Sequence, residues 1–490
     1  MNRFLKYWPI LLLLVLYIVV PNKNPSIDAW YYAACVKFKY DIFQIHHLLY
    51  NFWGLVFYEP FHLLLNIDAM QALQFLNGFA AFFSLIVLVQ ILKNFEIKET
   101  PAVFLSFITG ASFGFWRYAT EAEAYILPIL FSLLATFYLS KTQLRTRDYL
   151  LSSVFIVLSV LSHQIHLFWA LALFVFVLKK ANKQQIAYFT LILFFIPIIY
   201  VAVFYFSSSK SFLSFLLGEY QKGNAAINLN LYSIGLGCVS FVRSFFQVHG
   251  YMIDLISKYS FVFIVFVFLV AYLFLKDFKQ KKHDFYTSKG KSSIWTLIFS
   301  LAFVMQLLFA ILSDGNAEFM VMLPVLLLLT IVSRFKINES SWLTTFAFLV
   351  FLWNFCFGIL PKNLLDFNQT QKQANLTIQN KEALFVWSNK PLIENQVCYA
   401  IGFNEKRNYV KAEEKYLFQI YHHLKNNGTV YTDQLAEESS FSRVGVLKKR
   451  NLFLLSDYFP YIKTDSFKNN NGMNYIYELQ VSDKLLFLHH

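Results

Sequence analysis

The sequence predicts a mainly α-helical protein, a polytopic transmembrane bundle of about eleven spans over residues 1–360 with a small soluble α/β tail over 361–490. Three observations carry that reading. Hydrophobic residues make up 57% of the 490-residue chain and charged residues only 14%, where a soluble domain holds about 25% charged. Mean hydropathy is +0.48. Apolar runs approaching the ~20 residues needed to cross the hydrocarbon of a bilayer recur along the first 360 positions. After Leu360 and Pro361 the composition turns abruptly to Asn, Gln, Lys and Glu.

Such a composition excludes a soluble enzyme, a nucleic-acid-binding module and a secreted disulfide scaffold. Aromatics reach 19%, with 57 Phe, and suit lipid-facing and interfacial positions. Cys35, Cys238, Cys356 and Cys398 form no CxxC pair, so neither zinc nor a disulfide framework is indicated. The net charge of +13 matters through its placement along the chain.

The expected spans lie near 4–21, 69–92, 101–116, 123–140, 149–163, 165–178, 186–206, 256–275, 293–312, 317–334 and 342–360. No small-residue cleavage site follows the first of these, which reads as an uncleaved span. The segment 231–249 is apolar but carries Arg243 and two glycines, and reads as a re-entrant or interfacial piece. Alternate connections are basic: the Arg3/Lys6 terminus, Lys93–Lys98, Lys141–Arg147, Lys179–Lys183, Lys276–Lys291 and Arg334–Lys336. The positive-inside rule makes this set cytoplasmic and the other set, with the tail, extracytoplasmic. A bacterial inner membrane with a periplasmic tail fits. In the tail, Val397–Ile401, Thr429–Thr432 and Tyr475–Val481 read as strands and Ala412–Lys425 as a helix.

The unusual polar residues gather on the outer side. Asp28 opens a stretch in which Tyr31, Ala34, Cys35 and Phe38 fall at helical spacing, as in an amphipathic helix lying on a membrane surface. Asp28 is either the N-cap of that helix or a carboxylate kept at the boundary as a base. In the second outer turn Arg117, Glu121 and Tyr125 stand four apart and would share one helical face, with Glu123 pointing elsewhere. That turn is either a solvated ion pair or the lining of a cavity. His46 and His47 lie in the first outer loop, and His163 and His166 sit at i, i+3 on the outer side. They are hydrogen-bonding caps or metal ligands, and their spacing does not define a ligand set. Arg243 sits among apolar residues, where its guanidinium either snorkels or binds an anion such as a lipid phosphate. Asn316 and Glu318 belong to a tight outer turn whose hydrogen-bond acceptors either bind a sugar or cap the next helix.

The order of these pieces resembles integral-membrane glycosyltransferases of the GT-C fold class, closest to the protein O-mannosyltransferase and aminoarabinose transferase relatives. The matching residues are Asp28, then His46, His47 and Tyr50, then Phe115 and Trp116 with Glu121, Glu123 and Tyr125, then His163 and Gln164, and Asn316 with Glu318 and Phe319. The resemblance covers about residues 1–335 in layout and leaves out the tail. It implies transfer of a sugar from a polyprenyl-phosphate carrier to a lipid, glycan or protein acceptor on the outer side. No cofactor is expected from the residues, and a divalent metal is not supported by their spacing. Asp28 takes the place of the family's first-loop carboxylate. Ala29 and Trp30 follow where relatives often carry a second acid, and Glu121 or Glu123 would supply it. On this reading Asp28 removes the acceptor proton, Arg117 or Arg243 meets the departing phosphate, and Trp30 and Trp116 stack on the sugar or anchor at the interface. Two other classes compete: a transporter or flippase of lipid-linked glycans, which would show broken spans and ionisable groups at mid-membrane depth, and a non-catalytic assembly protein.

Overall fold

The computed structural model describes residues 6–207, 211–222, 226–227, 230–250, 252, 261, 265, 268, 272, 285–287, 293–337, 341–366, 370–433, 435, 455–469 and 472–481. Most of the expected span 256–275 and of the Lys276–Lys291 loop lies outside the described residues. The chain divides into two units, one of residues 1–22 and 41–363, the other of 23–40 and 364–490.

The first unit is helical. It runs through α1 (Trp8–Val19), α3 (Tyr50–Leu65), α4 (Ala69–Asn94), α5 (Glu99–Ala111), α6 (Phe113–Ala119), α7 (Ile126–Leu139), α8 (Thr146–Ser162), α9 (Leu167–Lys180), α10 (Lys183–Leu193), α11 (Phe195–Phe206), α12 (Phe212–Lys222) and α13 (Leu231–Phe245). After these come α14 (Ser293–Leu312), α15 (Leu323–Arg334) and α16 (Ser341–Asn354), with a short antiparallel pair, β1 (Phe285–Thr287) and β2 (Phe335–Ile337). Among the described residues four helical stretches are long and apolar enough to cross a membrane: Ala69–Asn94, Lys183–Phe206, Ile294–Leu312 and Trp342–Leu364. Shorter apolar helices include Trp8–Val19, Ile126–Leu139 and Leu231–Phe245. The chain is an integral membrane protein.

One expectation changes here. The run 101–116 is broken at Ser112, whose extended backbone separates α5 from α6. Within the segment 231–249, Leu231–Phe245 form α13, capped by Asn230 Oδ1, which accepts from Ser233 N at 2.7 Å. Its buried residues Ser233, Gly237, Ser240 and Ser244 are all small and recur every three or four positions, which lets neighbouring backbones approach closely. A Cβ on Gly237 would strike Ile311 of α14, and one on Gly114 would press on Ser244. The helix α3 was not read from the sequence; its last turn exposes Leu63, Leu64 and Leu65.

The last described span ends irregularly. After α16 the residues Phe355–Ile359 form a π turn, followed by α17 (Leu360–Leu364). One of its carbonyls, Phe357 O, accepts from His249 N at 2.7 Å. Gly358 fits because a Cβ there would meet the Phe113 ring at 2.8 Å.

The second unit is a small α/β layer structure. It contains α2 (Ile27–Phe38), α18 (Gln371–Gln379), β3 (Leu384–Val386), α19 (Lys390–Ile401), β4 (Asn408–Tyr409), α20 (Leu417–Lys425), β5 (Val430–Thr432), β6 (Tyr461–Asn469) and β7 (Gly472–Leu479). The sheet order is β4-β3-β5-β7-β6, with β3 parallel to both β4 and β5 and the β7 pairings antiparallel. Strand β3 is buried on both faces, as central parallel strands are. Leu384 and Val386 join Ile420 and Leu424 on one side, and Phe385 and Trp387 join Ile393 and Val397 on the other. The expected strand Val397–Ile401 is the end of α19, because Pro391 starts that helix in its first turn and Gly402 closes it at φ 87°. The apolar residues 397–401 continue a helical face that began at Leu392, and a short apolar run alone cannot distinguish the two.

Helix α2 packs against α19 within this unit. Lys37 Nζ donates to Tyr399 O at 2.8 Å, Asn395 Nδ2 donates to Ile27 O at 2.9 Å, and Trp30 meets Tyr399 edge-on at 5.2 Å. The sequence read the helix correctly and expected a membrane surface beneath it. In the structure its apolar residues Ala29, Tyr32, Ala33, Cys35 and Val36 are covered by protein.

Candidate functional site

The turn between α6 and α7 holds the carboxylates that the sequence singled out. Thr120 Oγ1 donates back to Trp116 O at 3.3 Å and to Arg117 O at 3.0 Å, closing α6. Residues 121–125 therefore leave the helix. The expectation that Arg117, Glu121 and Tyr125 share one helical face is corrected for that reason.

Helix α4 shapes this turn. Asn77 Nδ2 donates to the carbonyls of Glu121 and Glu123, each at 2.7 Å, and to the Tyr50 hydroxyl at 3.1 Å. Its Oδ1 has no partner, so the amide works as a donor alone. Gln74 Nε2 donates to Asn22 O at 3.0 Å, and Asn22 N donates to Thr120 O at 3.1 Å. Asn22 Nδ2 in turn donates to the Glu121 carboxylate. Held this way, Glu121 and Glu123 are both buried, at 1% and 2% exposure. Glu123 thus belongs with Glu121, contrary to the helical-face expectation.

Arg117 lies over the Tyr118 ring, 4.8 Å from its centroid. Its Nε is buried without a hydrogen-bond partner. No carboxylate oxygen stands within 4.0 Å of its guanidinium among the described residues. Glu121, Glu123 and Glu318 are near enough to act on its charge. Two of these are engaged by neutral donors, Glu121 by Asn22 and Glu318 by the Tyr125 hydroxyl at 3.0 Å. Asn316 Oδ1 accepts from Glu318 N at 2.9 Å and so sets the turn that carries Glu318.

Arg243, in the last turn of α13, is half-buried and interacts electrostatically with Arg117. Its Nε donates to Gln247 Oε1 at 2.9 Å. Gln247 N donates to Asn354 Oδ1 at 3.2 Å, while Asn354 Nδ2 donates to Ala111 O at 2.9 Å and Phe245 O at 2.7 Å. Two guanidinium groups held close together repel each other, and an anion placed between them relieves that cost.

The histidines divide into two environments. His47 and His163 rings are 4.2 Å apart, and Tyr125 lies 4.9 Å from His163. His163 Nδ1 accepts from Ile165 N at 3.3 Å, so a neutral ring carries its proton on Nε2. Burial, with His46 beside it, pulls His47 down to about 3, so it is neutral at physiological pH. His46 Nδ1 donates to Gln164 Oε1 at 2.9 Å. His166 turns away from this group and pairs through Nδ1 with Ser132 Oγ at 2.8 Å, which in turn meets Ser159 Oγ at 2.7 Å. The i, i+3 spacing failed because His163 ends α8 in an extended conformation. Among the described residues no group of three or more His, Cys, Asp or Glu is placed to hold a metal ion. Trp116 is fully buried and stacked on Phe351 and Phe355, which makes it a core residue.

Asp28 belongs to the other unit. It is exposed in the first turn of α2, and the cap of that helix is Ser26, whose Oγ accepts from Ala29 N at 2.9 Å. The capping alternative for Asp28 is thereby corrected. The sequence reading did not pick out Asn22, Gln74, Asn77 or Lys362. The signal for Gln74 and Asn77 was present, since amides inside an apolar span are costly facing lipid.

No protein-family model and no curated protein matches the chain. Solved structures do. ArnT from Cupriavidus metallidurans, solved bound to undecaprenyl phosphate, superposes with a TM-score of 0.52 at 11% identity over 96% of this chain and 97% of that one. The fold is GT-C. The arabinofuranosyltransferase AftD from Mycobacteria matches at TM-score 0.51 and 10% identity, over 99% of this chain and 40% of AftD. The apo oligosaccharyltransferase of Archaeoglobus fulgidus gives 0.49 at 10% identity, over 97% of this chain and 74% of that one. The GT-C likeness therefore runs through the tail, which the sequence resemblance had left out.

Proposed function

We propose that this chain is a membrane glycosyltransferase that moves a sugar from a polyprenyl-phosphate carrier to a lipid, glycan or protein acceptor on the outer side of the membrane. The observation that carries the reading is Arg117: a guanidinium without a carboxylate partner, beside Arg243 and a buried carboxylate pair, on a GT-C fold. Such a pair of forks suits a phosphate. The reading includes about eleven spans, with the N-terminus cytoplasmic and the tail outside.

In the proposed reaction the acceptor oxygen attacks the anomeric carbon and its proton passes to a carboxylate, Asp28 in this proposal. The bond from the anomeric carbon to the phosphate oxygen breaks, and its electron pair stays on that oxygen. Arg117 and Arg243 meet the charge that grows there, where fixed electrostatics contribute most. A single displacement inverts the anomeric centre. Tyr118, Tyr125, His47 and His163 line the neighbourhood of the carboxylates with ring faces and hydrogen-bonding atoms that suit a sugar. His46, His166, Asn316 and Glu318 act behind them through the bonds described above.

The test compares lipid-linked sugars and surface glycans of cells with and without the gene. Loss of one sugar from the glycans, with accumulation of its polyprenyl-phosphate form, supports the proposal. Unchanged profiles overturn it. Purified protein in liposomes that moves the lipid-linked sugar across the bilayer without transferring it assigns the chain to the flippase class instead.

A further inference from the structure

The end of the last described span brings a third cation to this site. In a regular helix Lys362 stands two turns after Phe355, on the same face, since 3.6 residues make a turn. That face is apolar: Phe351 and Phe355 stack on Trp116 at 5.5 and 5.8 Å. The π turn at Phe355–Ile359 inserts extra chain and rotates all that follows by ~100°. Lys362 is thereby taken off the aromatic face, and its ammonium interacts electrostatically with Arg117, Arg243 and Glu121. The position is pinned on both sides. Asn363 Nδ2 donates to Pro21 O at 2.8 Å, and Asn354 ties the start of the turn to α5 and α13. π turns inside helices occur frequently at functional sites.

Resting on the transferase reading above, we infer that Lys362 completes a three-cation phosphate site with Arg117 and Arg243 and is matched to the lipid monophosphate that leaves. The donor is a phosphodiester with one negative charge. When the bond to the anomeric carbon breaks, the electron pair remains on the phosphate oxygen and the product carries two. Two guanidinium forks answer the first charge, and the compact ammonium of Lys362 answers the second.

The experiment uses the purified full-length protein and two probes with the same tail, farnesyl monophosphate and farnesyl methyl phosphate, the second a diester with one charge fewer. Wild type is expected to prefer the monophosphate. Lys362→Met should weaken monophosphate binding at least tenfold and diester binding less than threefold, and Lys362→Arg should keep the preference. Arg117→Met should weaken both. Equal affinities of wild type and Lys362→Met for both probes overturn the inference and leave the transferase reading standing. The inference is equally overturned if Lys362→Met and Lys362→Arg lose both probes alike. A wild type that binds neither probe overturns the transferase reading itself.

Discussion

Replacing Asn77 with Asp tests how the carboxylate turn is built. The two side chains have the same shape, so no cavity opens. The ionised Asp has no hydrogen to donate, so the two bonds to Glu121 O and Glu123 O at 2.7 Å fail together, while the Tyr50 hydroxyl, itself a donor, can turn to donate to the carboxylate. The carbonyls are left without that donor beside a fully buried position. Leaving a buried acceptor unsatisfied costs about 1–3 kcal/mol, so the pair amounts to roughly 2–6 kcal/mol before repulsion from Glu121 and Glu123 is added. Protonation of the new Asp restores one donor and so returns part of the loss at low pH. The assay is thermal inactivation of the purified protein in detergent, together with hydrogen exchange of residues 120–125. Lowered inactivation temperature and faster exchange in that segment are expected. An Asn77→Asp protein with wild-type inactivation and unchanged exchange refutes the account, and the turn would then have to be held by Asn22 and Thr120 alone.

Other outcomes follow from the same geometry. Asp28→Asn leaves the cap of α2 intact, because Ser26 provides it, so expression should be normal while turnover falls ~10²–10⁴-fold if Asp28 is the base; wild-type turnover would move the role to Glu121 or Glu123. Arg243→Lys should keep part of the activity and Arg243→Leu should chiefly weaken donor binding, since the charge survives only in the first; donor dependence unaltered in Arg243→Leu would return the residue to snorkelling. Asp433 follows β5, and burial raises its carboxyl above the ordinary range although Ser388 N and Oγ donate to it at 2.7 and 2.9 Å. A raised value means the folded unit prefers the protonated form, so this contribution is complete below the ordinary carboxylate range and is lost as pH rises through the raised value. Asp433→Asn should flatten that part of the pH–stability profile of the full chain, and an unchanged profile would count against it.

The helices were legible wherever an apolar run was long and uninterrupted, as in α4 and α14. Helix boundaries near the site were less so. Thr120 bonds back to Trp116 O and Arg117 O locally, but the turn that follows is held by Asn77, more than forty residues earlier, which takes the carbonyls of Glu121 and Glu123. The spacing of Arg117, Glu121 and Tyr125 therefore implied a shared helical face that the chain does not have. Lys362 escaped notice because a π turn changes the face on which every later residue falls. The tail's β3 was passed over since Leu384–Val386 is three residues long and buried on both sides, leaving no alternation to read. Val397–Ile401 looked like a strand for the complementary reason, as a short apolar piece whose helical context lay to its left.

The pairing of α2 with α19 sets an order on synthesis. The carbonyl of Ile27 and the amide of Asn395 are 368 residues apart, and a ribosome adding about 5–20 residues per second needs some 20–70 s to span that interval. Throughout that time α2 has been made and its partner has not. The apolar surface formed by Ala29, Tyr32, Ala33, Cys35 and Val36 is then without its protein cover, and the boundary between headgroups and acyl chains is an apolar surface that suits such a helix. Until α19 arrives, the Cys35 thiol, fully buried in the finished protein, lacks that cover, and a chain truncated after residue 363 would lack it permanently.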